Sequence, residues 1–217
     1  EGACARYPWI TFVDLKQNGG KARALNIGFK QVRHDIVITV DADSFLYKGA
    51  LTSIVERYHS DPPNTRAVAG KILVRNSRYN WITRCQEWDY FHGIAAIKRV
   101  QSLFQGTLVA QGAFSLYDRD ALEEVGGWPE CVGEDIVLTW ALLKAGYRIG
   151  HCEDACLFTN VPTSIRQLVK QRQRWARGMI QRAIQKPRDT ELRMNAVVVL
   201  FVAGVTATFG PVPAVVV

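Results

Sequence analysis

The chain has 217 residues, 22% of them charged and 48% hydrophobic, so it can bury one sizeable core plus a short extra element and is not a disordered tail. Its 27 basic and 20 acidic residues leave a net charge of +7, which favours an anionic partner: a phosphorylated substrate, a membrane surface or nucleic acid. No nucleic-acid recognition motif is present, and the five scattered cysteines lack zinc-site spacing and are read as reduced thiols on a cytosolic face.

In chain order, "WITFV" (9–13) reads as a β-rich run and "NGG" (18–20) as a turn. "KARALNIGFKQV" (21–32) carries apolar residues at helical spacing. "DIVITV" (35–40) is a continuous apolar strand of the kind buried on both faces of a sheet. A helix over 49–59, a breaker at "SDPPN" and a strand "AVAGKILV" (67–74) follow. Residues 81–104 read as helical, "LVAQGAFSLY" (108–117) as a strand and "RDALEEV" as a short helix stopped by Gly126 and Gly127. "EDIVLTWALLKAG" (134–146) is a helix with acids in its first turn, Lys144 in its last and Gly146 as its stop. "ACLFTNVP" closes the strands, and "SIRQ" (164–167) is a capping box opening a basic helix. Strands alternating with helices imply an α/β fold with a mainly parallel sheet.

Three constellations can carry chemistry. Asp41 and Asp43 stand at the carboxyl end of the 35–40 strand, where open α/β sheets bind ligands. In an extended chain, residues i and i+2 point the same way, so two hard oxygen donors suit Mg2+ or Mn2+ holding a diphosphate. A solvated turn explains the same pair equally well. Glu134 and Asp135 open a helix, where acids complement the dipole; alternatively, one carboxylate is a general base for an acceptor hydroxyl.

The third is "QRQRW" (171–175). On a helix, Gln171, Arg174 and Trp175 share a face, giving a guanidinium for phosphate and an indole for a sugar ring. From Arg166 to Arg193 there are nine basic residues against two acids, so the helix also suits an anionic lipid surface. Residues 196–217 contain no charge across 22 positions, enough to span a bilayer, and the basic cluster upstream keeps the preceding chain cytoplasmic by the positive-inside bias.

Together these segments resemble the family 2 glycosyltransferases, in particular the membrane-embedded branch that includes hyaluronan, chitin, cellulose and bacterial poly-N-acetylglucosamine synthases. The carriers are "NGGKARALN" (18–26), "DADS" (41–44), "QGAFSLYDRDALEEVGGW" (111–128), "GEDIVLTWALLKAGYRI" (133–149) and "QRQRW". The resemblance implies a GT-A, Rossmann-like sheet flanked by helices and lacking its first βαβ unit. It implies a catalytic domain over 1–162, an amphipathic interface region over 163–194 and a membrane segment over 195–217.

By the same resemblance, Asp41 and Asp43 hold the metal and the donor diphosphate, and Asp135 is the catalytic base with Glu134 beside it. Lys21 faces the nucleotide, and Arg174 grips the pyrophosphate. Gln111, Gly112, Gln171 and Trp175 border the acceptor. The implied reaction is inverting, metal-dependent transfer from a UDP-sugar, first UDP-N-acetylglucosamine, to a growing polysaccharide. The implied location is the plasma membrane, with several spans in the intact protein. A non-processive transferase acting on a lipid or glycolipid, and an idle nucleotide-sugar sensor, are the alternatives.

Overall fold

The structure is a computed structural model that describes residues 6–92, 98, 101, 106–107 and 109–185, with side chains described as far as residue 176. The expected membrane segment therefore lies outside the described residues, and no described helix is long and apolar enough to cross a membrane.

Helix α1 (Gly20–Phe29) leads to β1 (Ile36–Val40), the short β2 (Phe45–Leu46) and α2 (Ala50–Ser60). Strand β3 (Thr65–Val74) is followed by α3 (Trp81–Asp89), β4 (Phe114–Asp118) and α4 (Arg119–Glu124). Then come α5 (Glu134–Lys144), β5 (Arg148–Thr159) and α6 (Ile165–Gln185).

Local chemistry starts and stops these helices. Asn80 and Thr83 form a reciprocal capping box ahead of α3, and the Asp118 carboxylate accepts the Ala121 N–H to begin α4. Gly146, at φ +88°, ends α5 in the left-handed region that glycine adopts at little cost.

The strands lie in the order β1-β4-β3-β5-β2. Only β3 and β5 pair in parallel; β1–β4, β3–β4 and β2–β5 are antiparallel. The α/β sheet flanked by helices is as the GT-A resemblance implies, but it is mixed rather than mainly parallel. Strands β1, β3 and β5 share one direction, and β4 is inserted in reverse between the first two. Alternating apolar runs cannot encode strand direction, which is set by how the connections cross.

Side chains alternate across the pleat to build two cores. Val68 and Leu116 pack with Ile54 of α2, Phe114 and Leu157 on one face. Their neighbours Ala67 and Tyr117 pack with Leu122 of α4 and with Leu138 and Leu142 of α5 on the other. Ile54, Leu116, Leu122 and Leu142 are completely excluded from solvent. Burying one such side chain is worth roughly 1.5–3 kcal/mol.

Three expected elements differ. Residues 9–13 form no strand: Trp9 is 78% and Phe12 61% exposed, and β propensity without a pairing partner does not make a strand. The 108–117 run is strand only from Phe114, because a turn closed by Phe114 N–H to the Gln111 carbonyl (3.2 Å) precedes it. The last strand starts at Arg148, earlier than "ACLFTNVP" suggests, since His151, Glu153 and Asp154 mask its pattern. Of the 81–104 helix, α3 covers the start and a wider turn continues to His92; most of the remainder lies outside the described residues.

Candidate active site

Reversing β4 brings its entry to the carboxyl end of β1. Asp41 N–H donates to the Ala113 carbonyl at 3.0 Å, directly beyond the Val40–Phe114 pair. The next residue back, Gly112, holds the site together. Its carbonyl accepts the Lys21 ammonium at 3.1 Å, and its N–H donates to Asp135 Oδ2 at 3.1 Å. The same ammonium forms an ion pair with the Asp41 carboxylate. A Cβ on residue 112 would stand 3.2 Å from Lys21 Nζ and 3.5 Å from the Asp135 Cβ, so the position favours glycine by space.

Asp135 sits in the first turn of α5. Its Oδ1 accepts the Ile136 N–H at 2.9 Å, so each carboxylate oxygen takes one backbone donor and keeps capacity for a substrate hydroxyl. Thr139, one turn on, donates to the Asp135 carbonyl (2.6 Å) and accepts the Ala110 N–H (2.9 Å). That hydroxyl fastens the strand entry to the helix. Burial raises the pKa of Glu134 above the usual carboxylate range; the Asp135 and Asp41 charges add to this, against its own backbone hydrogen bond and Lys21.

Behind this cluster is a group that sequence reasoning missed. Lys98 is buried and donates to the Val109 carbonyl at 2.8 Å. Burial pulls its pKa down to about 7, opposed by the Asp135 charge. Nothing in "IAAIKRVQSLF" distinguishes this lysine from a solvated one. Thr139 could have been suspected as a hydroxyl within the apolar run of α5.

The remaining motif residues are placed differently. Residues 41–44 turn, with Ser44 N–H to the Asp41 carbonyl at 3.1 Å, so the extended geometry expected of the two aspartates is not what is seen. Asp43 is exposed and takes only a long 3.4 Å bond from the Ser44 hydroxyl among the described contacts. No group of three or more His, Cys, Asp or Glu capable of holding a metal occurs among the described residues. An ion at Asp43 and Asp41 would need further oxygen donors from a ligand or solvent. Hard carboxylates in that number fit Mg2+ or Mn2+ bound in this way.

Helix α6, which carries "QRQRW", packs against α5. Ser164 caps its start, accepting the Gln167 N–H at 3.4 Å. Arg174 is exposed. The Trp175 ring packs on the core with Tyr90 (centroids 6.5 Å apart), and the Arg172 guanidinium lies over it at 4.5 Å. Arg172 also pairs with the buried Asp89, a contact that sequence reasoning missed. The carbonyl oxygens of the Gln171 and Gln111 side chains are buried with no hydrogen-bond partner among the described residues. Lys21, Asp41, Gly112 and Asp135 are thus joined directly, while Asp43, Gln111, Gln171, Arg174 and Trp175 are not bonded to them.

Comparison with known proteins gives the family and the fold. The chain is 38% identical over 168 residues to a poly-beta-1,6-N-acetyl-D-glucosamine synthase of Staphylococcus aureus, covering 77% of this chain and 40% of that protein. It is 37% identical to the Staphylococcus epidermidis protein of the same name over the same shares. The chain thus spans about 40% of the length of these relatives. A mannosyltransferase from Pyrobaculum calidifontis, solved with GDP-Man and Mn2+, superposes with a TM-score of 0.68 at 23% identity. That match covers 97% of this chain and 62% of the other and shows the GT-A fold. The profile of the Glycosyl transferase family group 2 matches residues 36–216, and the chain belongs to that family.

Proposed function

We propose that this domain transfers a sugar from a UDP-sugar, first UDP-N-acetylglucosamine, to a growing polysaccharide with inversion at the anomeric carbon. The observation that carries the reading is the link from Asp135 through Gly112 to Lys21 and Asp41, which joins the carboxylate read as the base to a cation and to one of the two aspartates read as holding the diphosphate. The 38% identity to a polymer synthase supports the choice of donor and acceptor.

In this reading Asp135 accepts the proton of the acceptor hydroxyl as its oxygen bonds to the anomeric carbon. The bond from that carbon to the diphosphate breaks, and the pair leaves with UDP. Lys21 and Arg174 hold the diphosphate oxygens and stabilise the charge that develops there. Asp43 and Asp41 would hold Mg2+ or Mn2+, which when bound would supply further positive charge for the departing diphosphate. Gln111, Gly112, Gln171 and Trp175 border the acceptor.

The basic face of α6 rests on anionic lipid, the apolar residues 195–217 enter the bilayer, and the catalytic domain stays on the cytoplasmic side of the plasma membrane. The test is UDP release by the full-length protein in membrane vesicles, with a panel of UDP-sugars, Mg2+ or Mn2+, an EDTA control and Asp135→Asn. Metal-dependent release with one sugar, lost in the variant, is the expected result. UDP binding without release from any sugar would overturn the transferase reading.

A further inference from the structure

The motif "QRQRW" places two arginines two positions apart, and the structure gives them opposite surroundings. Arg174 is exposed, whereas Arg172 turns inward onto α3. Its partner Asp89 is buried and, apart from Arg172, has no hydrogen-bonding partner among the described contacts. A carboxylate so placed is costly to leave alone, so the pair ties α6 to α3 rather than merely decorating the surface.

The same guanidinium lies over the indole of Trp175, one helical turn further on, with its central carbon 4.5 Å from the ring centroid. Tyr90, the residue after Asp89, meets that indole at 6.5 Å with the rings inclined by 53°. One end of α3 therefore supplies both a counter-charge for Arg172 and an aromatic wall for Trp175. Burial pushes the Tyr90 hydroxyl up to about 12, so it stays neutral beside the pair at working pH. A planar, delocalised guanidinium is suited to bond Asp89 and lie over a ring at once, whereas an ammonium is a compact point charge on a flexible stem.

We propose that Arg172 is a positioning residue for sugar transfer: bonded to Asp89 and stacked on Trp175, it fixes the plane of the indole and locks α6 in register with α3. The proposal rests on the glycosyl-transfer reading for its kinetic consequence, but not for its structural one. Arg172 touches neither donor nor acceptor. It determines how steadily Trp175 and the neighbouring Gln171 are held.

The experiment uses the full-length protein in membrane vesicles, with Arg172→Gln, Arg172→Lys and Asp89→Asn. Rates of UDP release and the affinity for UDP are measured for each. Trp175 emission and its quenching by acrylamide are obtained by subtracting spectra recorded in the Trp175→Phe background. With Arg172→Gln, kcat is expected to fall about 10- to 100-fold, the loss typical of small misplacements at a reacting centre. UDP affinity should stay at its wild-type value, and Trp175 should become more readily quenched. Arg172→Lys keeps the charge and should fail nearly as badly; Asp89→Asn should reproduce the quenching change with Arg172 still present.

Loss of UDP affinity in step with kcat would overturn the proposal by making Arg172 a donor ligand. Full rescue by lysine, or unchanged Trp175 quenching in Arg172→Gln, would overturn it too. Should the wild-type protein release no UDP from any sugar, the transferase reading fails by itself, and the quenching measurement still decides the positioning role. A variant that loses its thermal transition is replaced in the comparison by Arg172→Lys, which retains the buried charge pair.

Discussion

The two halves of the site are built in different ways. Around Gly112 the partners are fixed: Lys21, Asp41 and Asp135 meet one another or the Gly112 backbone, and Thr139 fastens the adjoining strand entry. On α6 the helix is locked by Arg172 and Asp89, but Arg174 is exposed and the Gln171 oxygen has no partner among the described residues. The first half is preorganised, so its electrostatics are in place before any ligand arrives. The second offers groups that a ligand can complete. Substitutions among the fixed groups, Arg172 included, should therefore act on turnover, and those of the exposed Arg174 and of Gln171 on binding.

Asp135→Asn breaks that contrast most severely. Removing a general base is expected to lower kcat by about 10²–10⁴, while UDP affinity measured by calorimetry is unchanged. Gly112→Ala comes next. The new methyl crowds the Lys21 ammonium at 3.2 Å, and displacing the Gly112–Asp135 bond should lower kcat by roughly 10- to 100-fold at wild-type donor KM.

Lys21→Ala sharpens the comparison, because Lys21 belongs to the first half yet faces the donor in our reading. Loss of a charged hydrogen bond, worth about 1.5–3 kcal/mol, should raise donor KM roughly 10- to 100-fold. If donor KM holds and the Mn2+ requirement falls instead, Lys21 serves only to neutralise Asp41.

The smallest effect concerns stability. Burial raises the pKa of Glu134 in the folded chain above its ordinary value of 4.5, so the folded state binds more protons than the unfolded state from that value upward. Stability is then lost as pH rises through the raised folded pKa. Glu134→Gln should melt higher than wild type at pH 7, and the gap should close on acidification below about 4.5, the unperturbed carboxyl value. Equal gaps at both pH values would show that Glu134 stays at its ordinary pKa.

How much of this was legible depends on whether a feature is local. The helix from Glu134 to Lys144 carried its own acids, basic end and stop glycine, and it formed as the sequence implied. The 35–40 run formed its strand, but only Val37 and Thr39 are buried there and Val40 is exposed, so the continuous apolar run overstated burial on both faces. The links that make the site could not be read locally. Gly112 reaches Lys21 across 91 residues and Asp135 across 23, and Arg172 reaches Asp89 across 83. Such pairings depend on how strands are ordered, which hydrophobic pattern does not specify. The aspartates of "DADS" were read as an extended pair, whereas a Ser44–Asp41 turn bends the chain there. Trp9 and Phe12 looked like strand residues by type alone, and type is a weak guide without a neighbouring strand.

The reversed strand β4 has an evolutionary consequence. A strand running with β1 and β3 would have delivered its exit to the site and tied that edge to the helix that follows. Running against them, β4 delivers its entry, and that entry is pinned from outside the sheet, by Thr139 at Ala110 and by Lys98 at Val109. A change in that approach would therefore be felt on α5 through Thr139, so sheet edge and helix are constrained to evolve together.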